Sequence, residues 1–148
     1  MLTLRRFCAA LALAVPALAV AAAPIAMHRD PGCPCCAKWA AQVRAQFGRQ
    51  VQIVDDARRA AFLKSQSVPA DLASCHTAVI DGMVFEGHVP IADMKRVLAQ
   101  RPKGVAGLAV PGMPMGSAGM EMPGQMGQAY DVIAFGPGGR RVFAHHAA

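Results

Sequence analysis

Three cysteines stand within four residues at the point where the sequence predicts the start of a helix. Residues 30–39 read Asp-Pro-Gly-Cys-Pro-Cys-Cys-Ala-Lys-Trp, and Pro34 suits a first helical turn. The residues that follow at the spacing of one buried helical face are Cys36, Trp39, Ala40, Val43 and Phe47. Unpaired N–H groups and the helix dipole favour thiolate over thiol at such a position. The pattern therefore predicts either redox nucleophiles or metal ligands.

The first 21 residues are typical of a secretory signal. Arg5 and Arg6 precede an apolar run over 7–20, and Ala19-Val20-Ala21 is a small-residue cleavage site. The run is too short to span a membrane. We expect cleavage after Ala21, export to the periplasm, and a single mature domain over 22–148 with no membrane span.

The basic charge of the chain does not indicate a nucleic-acid partner. The net charge is +6, yet no basic run exceeds two residues and no aromatic residues alternate with them. We interpret the arginines and lysines as a solvated surface.

The mature chain predicts an α/β domain with the element order β-α-β-α-β-β-α. Asp55 is the expected cap of the second helix, and Asp81-Gly82 is a two-residue hairpin turn. This order, with Cys33 and Cys36 at the start of the first helix, is thioredoxin-like. Cys75-His76 then stands where such proteins carry a cis-proline facing the dithiol. The predicted elements are strand 25–29, helix 34–47, strand 51–54, helix 57–65, strands 74–80 and 83–86, and a helix from residue 91.

Residues 105–128 differ in kind from the rest of the domain. They are rich in Gly, Pro and Met, which predicts an irregular loop. Residues 129–146 then predict a closing β-hairpin. The five methionines of the loop are Met113, Met115, Met120, Met122 and Met126.

The four cysteines of the mature chain leave three chemistries open. They are Cys33, Cys35, Cys36 and Cys75. A pair of structural disulfides would close almost no loop and would stabilise little. A thiol–disulfide oxidoreductase would use Cys33 as attacking thiol and Cys36 as resolving thiol, which leaves Cys35 unexplained. A metal site uses all four thiolates.

The methionine-rich loop favours copper over zinc among the metals. A lone tetrahedral zinc prefers a C-x2-C spacing, whereas adjacent Cys35 and Cys36 suit thiolates that bridge several ions. Thioethers are soft ligands for Cu(I) and poor ones for zinc. We predict Met113 and Met115 as further ligands or gates. His76 and His88, at the two ends of the central hairpin, are the candidate imidazole ligands.

Five ordered motifs resemble the CopG-like periplasmic copper-resistance family. They are Pro31–Trp39, Ser74–Ala78, Asp81-Gly82, Glu86–Pro90 and Pro111–Ser117. The resemblance implies a thioredoxin-like fold, a copper cluster held by the four cysteines, and a role in copper resistance; His88 and the Pro-Gly-Met loop match the family's other motifs. Pro34 and Ala118 depart from its usual pattern without removing a candidate ligand.

We therefore predict a periplasmic copper-binding protein of copper homeostasis that holds several Cu(I) ions. Interconversion of Cu(I) and Cu(II) is a hypothesis, so the sequence leaves open whether the protein is an enzyme. The expected partners are copper ions and other periplasmic copper-handling proteins. The alternatives are a metal-free thiol–disulfide oxidoreductase that uses Cys33 and Cys36, and a structural zinc domain.

Overall fold

The computed structural model describes residues 23–148, so the predicted leader lies outside the described residues. Strands and helices alternate along most of this part of the chain. The strands are β1 (Ile25–Arg29), β2 (Val51–Asp55), β3 (His76–Ile80), β4 (Met83–Glu86), β5 (Gly107–Ala109), β6 (Tyr130–Phe135) and β7 (Arg141–His146). The helices are α1 (Pro34–Phe47), α2 (Arg59–Ser65) and α3 (Ile91–Gln100), with a 3-10 turn at Ala70–Leu72.

The strands form one mixed sheet in the order β2-β1-β3-β4-β5-β6-β7. Strand β1 runs parallel to β2 and antiparallel to β3. The β3–β4 hairpin continues the sheet, β5 joins β4 in parallel, and the β6–β7 hairpin completes it. The architecture is therefore a mixed α/β sheet with helical crossovers, as the sequence predicts at this level.

Two apolar clusters hold the helices to opposite faces of the sheet. The larger contains the buried side of α1 and α3 together with inward residues of the central strands, among them Trp39, Phe85 and Met94. The smaller places Leu63 of α2 against residues such as Val84. Helices cover both faces of the sheet, as its apolar strands require.

The first helix forms with the predicted boundaries and the predicted buried face. Cys36, Trp39, Ala40 and Val43 are buried, and Pro34 occupies the first turn. The hairpin turn at Asp81-Gly82 is also confirmed, because both residues adopt positive φ, of 49° and 78°. Such a turn matches the twist of the strands it joins.

Three local expectations are wrong. Residues 105–128 are not irregular throughout, because β5 pairs with both β4 and β6. The second helix begins at Arg59 rather than at residue 57, and Asp55 does not cap it. Asp55 instead ends β2 and forms an ion pair with Arg29 at 2.7 Å. For β5 and for Asp55, contacts across the sheet outweigh the local sequence preference.

Within residues 23–148, none of the helices is both long enough and apolar enough to cross a membrane.

Candidate metal centre

One end of the sheet collects the segments that carry the cysteines and histidines. Register pairs the end of β1 with the start of β3, through Arg29 and His76. It also pairs Thr77 with Glu86 and Glu86 with Ala109. The chain therefore enters α1, β3, the His88 turn and the methionine-rich loop at the same end of four adjacent strands.

The four predicted cysteines meet at this end. Their sulfur atoms all lie within 4.8 Å of one another. Cys33 and Cys36 form a disulfide, whereas Cys35 and Cys75 are free. The Cys35 sulfur lies 3.3 Å from that of Cys33, and the Cys75 sulfur lies 3.4 Å from that of Cys36. Each free thiol thus contacts one end of the disulfide.

The backbone holds Cys75 beside the cysteine-bearing loop. The N–H of Asp30 donates to the carbonyl of Cys75 at 3.0 Å, so the loop cannot move away from β3 without losing this bond. Burial raises the pKa of the Cys75 thiol to about 12. A buried thiol of this kind is inert unless a cation or metal stabilises its thiolate.

His88 presents one ring nitrogen to the cysteines in a defined tautomer. Its Nδ1–H donates to the Ala118 carbonyl at 2.8 Å, and its Nε2 lies 3.1 Å from the Cys75 sulfur. Burial lowers the pKa of the imidazole, which keeps it neutral. A neutral imidazole whose second nitrogen donates to a carbonyl is the usual form of a metal-ligating histidine.

His76 is fully buried between Trp39 and His88. Its ring centroid lies 4.5 Å from that of Trp39 and 4.9 Å from that of His88. Burial holds the pKa of this imidazole well below its usual range. Its Nε2 has no hydrogen-bond partner, and among residues 23–148 it is the single buried side-chain nitrogen or oxygen of which this is true. Cys36, Cys75, His76 and His88 form a second group of candidate ligand atoms within 4.8 Å of one another.

A buried ion pair supports the site from behind. Arg59 donates to Asp30 at 2.8 Å, to Glu86 at 3.2 Å and to the Ser74 carbonyl. Glu86, which is fully buried, also accepts from the Ser74 N–H at 2.7 Å and the Thr77 hydroxyl at 2.5 Å. One guanidinium therefore ties the cysteine-bearing loop to the segment just before Cys75.

Sequence reasoning missed Arg59. The charge pattern predicts a solvated basic surface, but this side chain is only 9% exposed. Its burial depends on Glu86, a strand residue whose own inward orientation follows from the sheet register. No local pattern in a seven-residue helix reveals such a pairing.

The methionine-rich loop returns across the start of α1. A Cβ on Gly119, which has φ of +83°, would lie 2.7 Å from the Trp39 nitrogen and 3.0 Å from the Cys35 carbonyl. Glu121 fixes the loop by accepting from the Gly119 N–H and from the Gln42 amide. The loop thereby delivers the Ala118 carbonyl to His88 and places its methionines near the cysteines.

The loop and the start of α1 enclose a mainly apolar cavity of about 560 Å³. Cys33, Cys35 and Cys75 line its floor. Met113, one of the two methionines predicted as ligands or gates, lines its wall and is 53% exposed. Met115 does not line it.

Two methionines outside the predicted pair, Met120 and Met122, also line the cavity. The Gly-Pro punctuation identifies the loop, but which thioethers face inward depends on the close approach at Gly119.

The remaining histidines lie in other contacts. His28 pairs with Asp56 at 2.9 Å. His145 pairs with Asp131 and His146 with Asp93, each at 2.7 Å.

These observations define the class of the protein. It is a mixed α/β protein in which four cysteines and two histidines share one end of the sheet, close enough together to hold metal. Neutral imidazoles and thiols are the donor set that soft and borderline metals select.

Comparison with known proteins is consistent with this class. A family model described as a protein of unknown function, DUF411, matches residues 72–120. The solved structure "Copper resistance protein copG- Form 1" is 40% identical, with a TM-score of 0.76, over 84% of this chain and 98% of that chain. Form 2 is also 40% identical, with a TM-score of 0.75, over 83% and 97%. A search of curated sequences returned no significant match.

The chain therefore belongs to the CopG family of copper resistance proteins.

Proposed function

We propose that the protein is a periplasmic copper-binding protein of copper resistance. It holds Cu(I) through Cys33, Cys35, Cys36 and Cys75, with His88 and His76 as further ligands. The observation that carries this proposal is the convergence of four cysteine sulfurs within 4.8 Å. The two similar structures are copper resistance proteins, which supports copper as the metal.

The proposal includes a thioredoxin-like fold and an exported mature chain. The core order β2-β1-β3-β4, with the dithiol at the start of the helix that follows β1, supports the fold assignment. The signal-like residues 1–21 support export. Other periplasmic copper-handling proteins are the expected partners.

Several copper ions, rather than one, fit the arrangement of the sulfurs. Cys35 contacts Cys33, whereas adjacent Cys36 contacts Cys75. Because these two adjacent cysteines face different partners, they cannot easily bind the same tetrahedral ion. They are better placed to bridge two or more ions. Met113, Met120 and Met122 add thioethers at the rim of the cavity, and thioethers are ligands that Cu(I) accepts. Met115, the second methionine that the sequence predicts, does not line the cavity.

Metal analysis of the mature chain, purified without oxygen and with reduced thiols, tests the proposal. We expect more than one copper and no zinc per chain. The Cys35→Ser variant should hold fewer copper ions per chain, because one bridging thiolate is missing. One zinc per chain, or full copper loading of this variant, would contradict the proposal.

A second function, thiol–disulfide exchange, is favoured by the Cys33–Cys36 disulfide. It requires only Cys33 and Cys36, so the Cys35→Ser variant should retain it. Catalysis of insulin reduction by a metal-free sample, unchanged in that variant, would support this alternative over copper binding.

We propose in addition that the protein interconverts Cu(II) and Cu(I). Two Cu(II) ions can take one electron each from the Cys33 and Cys36 thiolates, which yields two Cu(I) ions and the disulfide. Cu(II) added without oxygen to the reduced chain should therefore produce Cu(I), measured with a Cu(I)-specific chelator, together with loss of two thiols. Thiol loss without Cu(I), or no change at all, would remove this activity and leave binding intact.

A further inference from the structure

The Cys33–Cys36 disulfide and the candidate metal site use the same atoms. Both cysteines belong to the four-sulfur group, and Cys36 also belongs to the group with His76 and His88. The thiolate, rather than a disulfide sulfur, is the metal ligand. Within residues 23–148 the oxidised chain therefore retains only Cys35 and Cys75 as thiols, and it cannot form a four-thiolate site there.

We infer that this disulfide is a redox gate on the metal site, opened when an external thiol attacks the Cys33 sulfur. The inference rests on the proposed copper function. It adds that the chain has two states, one closed to Cu(I) and one open, and that a thiol reductant selects between them.

The direction of attack follows from burial. Cys36 is completely buried, whereas Cys33 is partly exposed and lines the cavity under the methionine-rich loop. An incoming thiolate can reach only the Cys33 end of the bond. The 560 Å³ cavity gives room for a small thiol or for the exposed cysteine of a reductase.

The exchange balances in two steps. A thiolate forms a bond to the Cys33 sulfur while the Cys33–Cys36 bond breaks, and the electron pair leaves on the Cys36 sulfur. A second external thiolate then attacks the outer sulfur of the mixed disulfide, which releases Cys33 as a thiolate and the reductant as its disulfide. The chain gains two electrons and the reductant loses two.

The opened site needs little rearrangement. The released Cys36 sulfur already lies 3.4 Å from Cys75, and the released Cys33 sulfur lies 3.3 Å from Cys35. The Nε2 of His88 faces the same Cys75 sulfur at 3.1 Å. Reduction therefore changes the number of available thiolates without requiring the fold to move.

The test compares Cu(I) binding by the oxidised and the reduced chain, residues 22–148. The reduced sample is treated with dithiothreitol and desalted without oxygen, and both samples compete with a chromogenic Cu(I) chelator. We expect the oxidised chain to bind Cu(I) about a hundredfold more weakly or to hold fewer ions, and dithiothreitol treatment to restore binding. Equal affinity and stoichiometry in the two states would overturn the gate. Failure of both states to bind would instead overturn the proposed copper function.

Two further measurements separate the gate from general damage by oxidation. Cys35→Ser keeps the Cys33–Cys36 pair, so its two states should still differ, although from a lower copper count. In the reduced, metal-free chain, iodoacetamide should alkylate Cys33 about tenfold faster than Cys36, as mapped by mass spectrometry. A Cys36 that reacts as fast as Cys33 would contradict the direction of attack.

Discussion

His88 is the side chain whose chemistry the surrounding fold determines most completely. The Ala118 carbonyl accepts the Nδ1 proton, so the Nε2 lone pair faces the Cys75 sulfur. Burial lowers the pKa of the ring, and it therefore carries no charge that would repel a cation. The Nε2 lone pair is therefore already oriented to bind a metal in the metal-free chain.

Replacement of His88 by Ala should weaken Cu(I) binding about tenfold or more, because a preorganised nitrogen ligand is lost. Competition with a Cu(I) chelator measures the change. His145→Ala is the matched control, since His145 is exposed and pairs with Asp131. Equal losses in the two variants would show that His88 is not a ligand.

Arg59 and Glu86 join the two segments that carry Cys33 and Cys75, although neither belongs to the candidate ligand groups. Burial raises the pKa of Glu86, while hydrogen bonds from Thr77 and Ser74 and the charge of Arg59 oppose the rise. A buried charge left without its partner is costly. The pair therefore stabilises the site only as long as both members are present.

Glu86→Gln should lower the free energy of unfolding by about 3 kcal/mol, because the buried Arg59 then keeps only the half-exposed carboxylate of Asp30 as its counter-charge. Urea denaturation of the metal-free chain measures it. Asp71→Asn is the control, because the Asp71–Arg140 pair is exposed, and we expect no measurable change. A stable Glu86→Gln protein would mean that Asp30 alone satisfies Arg59.

The methionine-rich loop and α1 act as one unit at the scale of secondary-structure elements. The loop backbone touches the backbone of α1 at Gly119, and the same loop supplies the acceptor for His88. The position of the loop therefore sets both the wall of the cavity and the orientation of the imidazole.

A side chain at position 119 should disturb copper binding by moving this loop. Gly119→Ala meets the Trp39 nitrogen at 2.7 Å, whereas Gly124→Ala, at a similar φ of +76°, meets nothing within 4 Å. Gly124→Ala should lose about 1–2 kcal/mol of stability, because alanine is strained at positive φ, and Gly119→Ala should lose more, because its Cβ also meets the backbone of α1. Only Gly119→Ala should also weaken Cu(I) binding in the chelator assay; an equal effect of Gly124→Ala would contradict the coupling.

At the scale of the whole molecule, the site joins segments that are distant in sequence. Cys36 and Cys75 are separated by 39 positions, and His88 and Ala118 by 30. A metal held by several of these segments binds the folded chain and not the unfolded one. Binding free energy then adds to folding free energy.

Cu(I) should therefore stabilise the reduced chain against unfolding, by about 4 kcal/mol when the free metal exceeds its Kd roughly a thousandfold. Thermal or urea unfolding with and without Cu(I) measures the increase. Mg²⁺ is the control, because a hard cation does not select thiolates. Equal stabilisation by both ions would indicate nonspecific binding.

The sequence predicts those parts of the molecule that depend on local patterns. The α1 face, the Asp81-Gly82 turn and the convergence of four cysteines follow from spacing and element order. The burial of Arg59, the three-residue strand β5 and the choice of Met120 over Met115 do not, because each depends on a partner far away in sequence. The Cys33–Cys36 disulfide follows from the oxidoreductase alternative and is one possible pairing under the structural-disulfide alternative, because spacing alone cannot choose which thiols pair.

The candidate metal ligands all lie where β1, β4 and β5 end and β3 begins, whereas the turns that join β3 to β4 and β6 to β7 lie at the opposite end of the sheet. Asp81-Gly82 and the glycines at 136, 138 and 139 lie there. A fluorophore or a surface tether attached at the Asp81-Gly82 turn would project away from the sulfurs. The chain can thus be labelled or immobilised by that end while the proposed copper binding is measured at the other.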